Sequence, residues 1–307
     1  MNQVNETGSL PGGAETRSGP GAEYKTSVAE KNVGARIKRA DDPRLLTGRG
    51  QFVDDLKLPR MLHVAFVRSL HPHARIVALE RAAAARLPGV VRILTGDEAA
   101  RLSKPCRGIL LHYTGMKTGA MLPLAVDKVR YVGEPVAAIA ATERVVAEDA
   151  AELVEVRYEL LPAILDPETA LAPGAALIHE ELGDNLIYEA AIEAGDVDAA
   201  FRSAERTYRR SFRLGRHTGV PIEPRSLVAD FEPATRSLTV WISTQVPHMM
   251  QAVLADLLSL QEHRVRVIAP DVGGSFGIKI HVYQDDLATC CLAQHRRSNV
   301  AQQHAAP

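Results

Sequence analysis

Nine residues, Asp271-Val-Gly-Gly-Ser-Phe-Gly-Ile-Lys279, constrain this chain more than any other stretch. They follow Val265-Arg-Val-Ile-Ala269, which reads as a strand, and precede a helix opening near Asp285 and Asp286. Gly273, Gly274 and Gly277 lack Cβ atoms, so the turn can take positive φ angles and bring N–H groups close to an anion. Lys279 offers a point charge beside it. The spacing is neither a Walker A loop, which ends in Gly-Lys-Ser/Thr, nor Gly-x-Gly-x-x-Gly. Taken on spacing alone, a plain connecting turn is the stronger reading.

A second strand-to-helix junction lies upstream. Leu238, Val240 and Ile242 alternate with Thr239, Trp241 and Ser243, and the strand delivers Gln245 to a helix entry where Pro247 suits the first turn. Met250, Val253, Leu254, Leu257 and Leu258 then follow the spacing of a buried helical stripe. Gln245 is either a simple cap or turn residue or a neutral amide placed to donate without altering charge. Two such junctions at one end of a sheet face one crevice. Glu223 and Arg225 read as an ion pair anchoring the turn that contains Gly219 and Pro221.

Taken in order, His217, Glu223-Pro-Arg-Ser-Leu-Val-Ala229, Ser243-Thr-Gln-Val-Pro-His248 and the glycine turn resemble the molybdenum-binding (large) subunit of the xanthine dehydrogenase and aldehyde oxidase family. The resemblance extends back through Leu46-Thr-Gly-Arg-Gly-Gln-Phe-Val-Asp-Asp55, Arg68-Ser-Leu-His-Pro-His-Ala-Arg-Ile76 and Val132-Gly-Glu-Pro-Val136, and covers roughly residues 35 to 295. It implies an α+β fold, with a hammerhead-like N-terminal domain followed by an incomplete molybdopterin-binding domain. It also implies a molybdenum-pterin cofactor of the cytosine dinucleotide type. In the family the glycine loop lies against that cofactor and the glutamine reaches the metal's oxo group; Gln245, Gly273, Gly274, Ser275, Phe276 and Gly277 take those places here. Two positions depart from the pattern. Ser275 stands where the family has another glycine, and Ile280 where purine-oxidising members carry a glutamate; the latter is similar to the carbon monoxide dehydrogenase large-subunit branch.

Along the chain, residues 1–34 are rich in Gly, Pro, Ser, Thr and Glu and read as a disordered leader. Residues 35–161 are expected to form the hammerhead-like domain. Leu62, Val64 and Phe66 mark a strand, Leu87 to Leu94 a turn feeding another, Asp97 to Leu102 a short helix and 103–120 a loop. Tyr131 to Leu160 reads as strand, helix and strand in a crossover unit, with Thr142 as N-cap and Val146, Ala150 and Leu153 on one helical face. The turn of Glu134 is expected to lie away from the metal, and His71 and His73 read as loop residues. Pro162, Pro167 and Pro173 suit a linker over 162–194. Residues 195–293 are expected to begin the cofactor-binding domain, with Asp196 or Asp198 capping a helix and Thr207 to Leu214 forming a strand. Residues 294–307 read as a tail outside the family pattern.

At 307 residues the chain can hold roughly two domains, each with its own core. Its net charge of -1 gives no compositional support for nucleic-acid binding. Cys106, Cys290 and Cys291 form no Cys-x-x-Cys pattern, so they read as buried thiols in a reducing cytoplasm, with no iron-sulfur or flavin motif in the chain. No apolar run reaches the ~20 residues of a membrane span. The resemblance implies oxidative hydroxylation with water as oxygen source, acting on carbon monoxide, a small aldehyde or a heterocycle. Its partners are iron-sulfur and FAD subunits, and a separate chain completing the large subunit is a further possible partner. No glutamate here matches the family's catalytic base, so the chain is expected to be an inactive portion of that subunit. A non-catalytic assembly module and an unrelated anion-binding domain are the alternatives.

Overall fold

The computed structural model describes residues 34–107, 113–296 and 300–303. The expected leader, apart from Gly34, and the last residues of the expected tail lie outside these. Two compact units result, residues 1–49 and 50–307. The described part of the first contains α1 (Asp42–Leu46), which carries Pro43 in its opening turn, and the Thr47 hydroxyl donates to the Pro43 carbonyl at 2.6 Å.

The second unit runs β1 (Leu62–Arg68), β2 (Ala74–Glu80), α2 (Ala82–Arg86), β3 (Val90–Thr95), α3 (Gly96–Ala100), β4 (Lys128–Val129), β5 (Pro135–Ala141), α4 (Arg144–Glu152) and β6 (Glu155–Leu160). It continues through α5 (Pro167–Ala170), α6 (Val197–Ser203), β7 (Ser226–Glu232), β8 (Ser237–Ile242), α7 (Pro247–Leu257), β9 (Val265–Ile268), α8 (Gln284–Arg296) and β10 (Val300–Gln303). A mixed seven-stranded sheet has the order β3-β5-β1-β10-β7-β8-β9, and β4-β2-β6 form an antiparallel three-stranded sheet.

Every residue of β5 is buried. Ala138 and Ala140 face the large core with Leu94, Leu227, Leu287 and Leu292, whereas Ile139 faces the opposite layer with Ile93, Ala150 and Val154. Small side chains let a helix approach each face, and each large aliphatic group buried there is worth about 1.5–3 kcal/mol. The expected helical face shifts accordingly. α4 opens at Arg144 with Glu143, not Thr142, at the N-cap, and it buries Ala147 and Ala150 while Leu153 is exposed. β5 and β6 belong to different sheets, so strand, helix and strand link two layers and do not make a crossover within one sheet.

The 294–307 stretch departs most from expectation. α8 runs on to Arg296, and β10 enters the sheet parallel to β1 and antiparallel to β7. It therefore joins strands that precede the expected linker to strands that follow it in one sheet. Thr207 to Leu214 forms no strand: residues 204–225 are irregular, and Phe212 and Leu214 are 84% and 82% exposed. Alternation alone does not satisfy a strand's backbone groups, and among the described residues no neighbouring edge pairs with this one.

Candidate functional site

The glycine turn bridges β9 and α8, and its base is tied down by a backbone pair. Asp271 N–H donates to the Gln51 carbonyl at 3.0 Å, and Gln51 N–H donates to Asp271 Oδ2 at 2.7 Å. Gly274 and Gly277 have φ of 96° and 88°, as the sequence requires of them. Phe276 also takes a positive φ, 47°, which a side chain disfavours, and its ring is 74% exposed. Gly273 has a different reason to be glycine: a Cβ there would lie 2.5 Å from Glu223 Cβ. Gly273→Ala is expected to cost about 1–3 kcal/mol, read by chemical denaturation, because backbone must shift to relieve that contact.

Lys279 does not face the turn's open side. Its ammonium is buried, donating to Glu223 Oε2 at 2.9 Å and to Ser243 Oγ at 2.8 Å. Glu223 Oε2 also accepts from Ser243 Oγ at 2.7 Å and from Gly273 N–H at 2.6 Å, whereas its Oε1 is buried without a partner. The charge expected beside an anion is thus a structural counter-ion holding the loop's back. Glu223 pairs with Lys279 and not with Arg225, which correspondingly finds other acids.

The two junctions meet. The Lys279 carbonyl accepts from Thr244 Oγ1 at 2.9 Å and from Gln245 N–H at 3.2 Å, and Gly277 N–H donates to Gln245 Oε1 at 3.2 Å. That last bond orients the amide, because only its oxygen can accept from an N–H. Gln245 itself is exposed, as are Phe276 and Gly277. Ser275 closes the turn through its carbonyl, which accepts from Ile278 N–H at 3.0 Å. Gln245, Gly273, Gly274, Ser275, Phe276 and Gly277 therefore lie on one continuous stretch of surface.

Behind the loop lies a charge cluster that sequence reasoning missed. Asp285 Oδ2 accepts from Arg68 at 2.8 Å and from Arg225 at 3.2 Å, whereas Asp286 accepts from Tyr283 N–H at 3.1 Å and meets Arg225 only at 3.5 Å. The Arg225 guanidinium sits 3.6 Å over the Tyr283 ring, and the Tyr283 hydroxyl donates to the Ile278 carbonyl at 2.6 Å. Glu134 is buried, and its carboxylate accepts from Arg130 N–H at 2.5 Å and from Gln284 Nε2 at 3.4 Å. The Gly-Glu-Pro turn is thereby joined to the first turn of α8. The acids at that helix start were visible in the sequence, but arginines 217 and 60 residues away were not assignable to Asp285 without the fold.

Burial pushes the Asp286 carboxyl up to about 6, outweighing the attraction of Arg225, with Asp285 adding to the rise. Arg225 is held charged by both acids despite its own burial. The two shifts are compatible because Asp285 takes the shorter contacts from both arginines, leaving Asp286 as the proton holder. Unfolded, Asp286 titrates near 3.8, so the folded chain binds the extra proton between about 4 and 6. Stability from this group is full below about 4 and falls as pH rises to about 6. Asp286→Asn is expected to flatten that slope in denaturation midpoints taken across the interval; an unchanged slope overturns the assignment.

Comparison with known proteins shows which family the chain belongs to. Residues 178–303 match the molybdopterin cofactor-binding domain, and residues 47–162 match the aldehyde oxidase and xanthine dehydrogenase a/b hammerhead domain. The chain belongs to the xanthine dehydrogenase and aldehyde oxidase family of molybdenum-binding subunits. It is 37% identical over 279 residues to the nicotine 6-hydroxylase large subunit of Paenarthrobacter nicotinovorans, covering 90% of this chain and 34% of that protein. It is 38% identical over 271 residues to the carbon monoxide dehydrogenase large chain of Afipia carboxidovorans, covering 83% and 33%. The quinoline 2-oxidoreductase structure from Pseudomonas putida 86 superposes with a TM-score of 0.83 at 37% identity, covering 88% of this chain and 34% of that one. The chain therefore spans about a third of the length of these relatives. The mixed α/β architecture and the hammerhead-plus-molybdopterin organisation follow the expectation, whereas residues 294–303, expected to fall outside the family pattern, lie inside the match. Among the described residues, no helix is long and apolar enough to cross a membrane.

Proposed function

We propose that this chain forms one wall of the molybdenum-pterin site in the large subunit of a molybdenum hydroxylase. The observation that carries the reading is the Gln245 to Gly277 hydrogen bond, which unites two junctions distant in sequence at an exposed glutamine. The residues fit the group: Gln245 and the 273–277 backbone would hold it, and the Glu223, Ser243 and Lys279 cluster would keep the loop in shape behind. When bound, the cofactor, of the cytosine dinucleotide type, supplies the redox chemistry of an oxidative hydroxylation that takes its oxygen from water. This chain's residues bind and orient.

Iron-sulfur and FAD subunits carry the electrons away in this reading, and the complex works in the cytoplasm. The substrate is carbon monoxide, a small aldehyde or a heterocycle, with Ile280 leaving no carboxylate at that position for purine recognition. In this reading the chain by itself is inactive, since no glutamate in it matches the family's catalytic base.

The test is molybdenum by mass spectrometry and pterin by fluorescence, on this chain alone and together with the remaining portion of a large subunit. Metal well below one per chain is expected alone, approaching one in the complex. Gln245→Ala is expected to lower retention about tenfold, the worth of one charge-assisted hydrogen bond. A well-folded complex free of both metal and pterin overturns the reading and favours an assembly module.

A further inference from the structure

Residues 189–220 expose nearly every side chain, although the molybdopterin-domain match includes them. Ile192, Phe201, Tyr208, Phe212 and Leu214 are between 65% and 95% exposed. Scattered apolar residues on a surface are ordinary, but several large ones this exposed within one segment of a matched domain suit an interaction surface. The segment is held toward its C-terminal end: Arg213 donates to Asp166 at 2.8 Å, and Pro221 is buried. Tyr208, Phe212 and Leu214 share one parity with Arg210 among them, while Thr207, Arg209, Ser211 and Arg213 share the other. That is strand-like alternation with three large apolar groups on one face and a wholly polar opposite face, and among the described residues no strand pairs with it.

The apolar surface continues to the candidate site. Ile222 is 99% exposed beside Glu223, and a Cβ on Gly219 would lie 2.8 Å from Phe276 Cβ. Whatever covers the arm also approaches the glycine turn. The chain spans about a third of its relatives' length, so most of a large subunit's polypeptide is available to do so.

We propose that residues 206–214 add as a β-strand to the part of the large-subunit polypeptide that this chain does not contain, burying Tyr208, Phe212 and Leu214 and completing the site over Phe276. Strand addition satisfies the segment's main-chain donors and acceptors, and alternate side-chain pockets give it register. The five arginines between 206 and 216 call for an acidic rim around the receiving groove. The proposal rests on the reading of the chain as one wall of a molybdenum hydroxylase site.

The experiment co-expresses the full chain, tagged, with the portion of the nicotine 6-hydroxylase large subunit that lies beyond the shared region. Co-purification at one to one is expected, with amide exchange at 207–214 slowed at least tenfold. A Phe212→Asp, Leu214→Asp double variant, altering groups that are solvent-exposed in the chain alone, is expected to reduce capture at least tenfold. Val145→Asp, 60% exposed on α4, is expected to leave it unchanged. Absence of capture, capture indifferent to the double variant, or undiminished exchange at 207–214 overturns the proposal. So does self-association of the chain, or its sedimentation with phosphatidylserine vesicles, when the double variant abolishes either. Molybdenum is measured in the same samples: capture without metal sinks the cofactor reading and leaves strand addition standing, and metal in an uncaptured chain does the reverse.

Discussion

Lys279→Met is expected to lower unfolding free energy by about 3–5 kcal/mol, the usual cost of removing one partner from a buried ion pair. The lysine side chain is fully buried, and Glu223 is 14% exposed with Oε1 already lacking a partner. Without the ammonium, the carboxylate keeps only Ser243 Oγ and Gly273 N–H as donors, so a charge is stranded in the interior. Pairing the change with Glu223→Gln is expected to recover much of the loss, because the stranded charge goes with it. Urea denaturation of the two variants and the parent provides the check. A loss below about 1 kcal/mol in the single variant, or no recovery in the double, overturns the account. Since domains are stable by only about 5–15 kcal/mol, the site's shape and the chain's stability rest on the same pair.

Deleting residues 300–307 is expected to split a single unfolding transition into two. β10 pairs Val300 with Leu62 on one side and with Ala229 on the other, and its removal leaves β1 and β7 as open edges. α8 and the core it shares still touch both groups, but hydrogen-bonded continuity between β3-β5-β1 and β7-β8-β9 is lost. Trp241, the one tryptophan, lies on β8 and reports the second group, whereas far-ultraviolet circular dichroism reports both. Coincident midpoints are expected for the full chain and separated midpoints for the deletion. Ala301→Pro gives a milder version, removing a donor from a central strand at a cost of about 3 kcal/mol or more. Coincident transitions in the deletion overturn the claim that this strand joins the two groups.

The sequence by itself determined the elements whose signals are local. The period-two runs at 62–68, 237–242 and 265–268, the stripe of α7 and the helix start after the glycine turn are all found where expected, because side-chain periodicity and turn chemistry act over a few residues. Family membership was legible for a related reason: several short motifs in a fixed order are specific in combination. Gly274 and Gly277 were legible as positive-φ positions because only a residue without Cβ takes that backbone cheaply.

Tertiary structure decided the pairings. Lys279 was equally compatible with facing a ligand or a buried acid, and only the approach of β7's leading turn brought Glu223 against it. Arg225 found Asp285 and Asp286, which no spacing rule connects. Val300 to Gln303, four residues in a polar stretch, form a strand because two sheet edges present unpaired groups to them, and Gln302 is buried accepting from the Thr289 hydroxyl. Thr207 to Leu214 shows the converse, a strand pattern that no edge receives. Local periodicity sets what a segment can become; the hydrogen-bonding partner, contributed by residues far along the chain, decides whether it does.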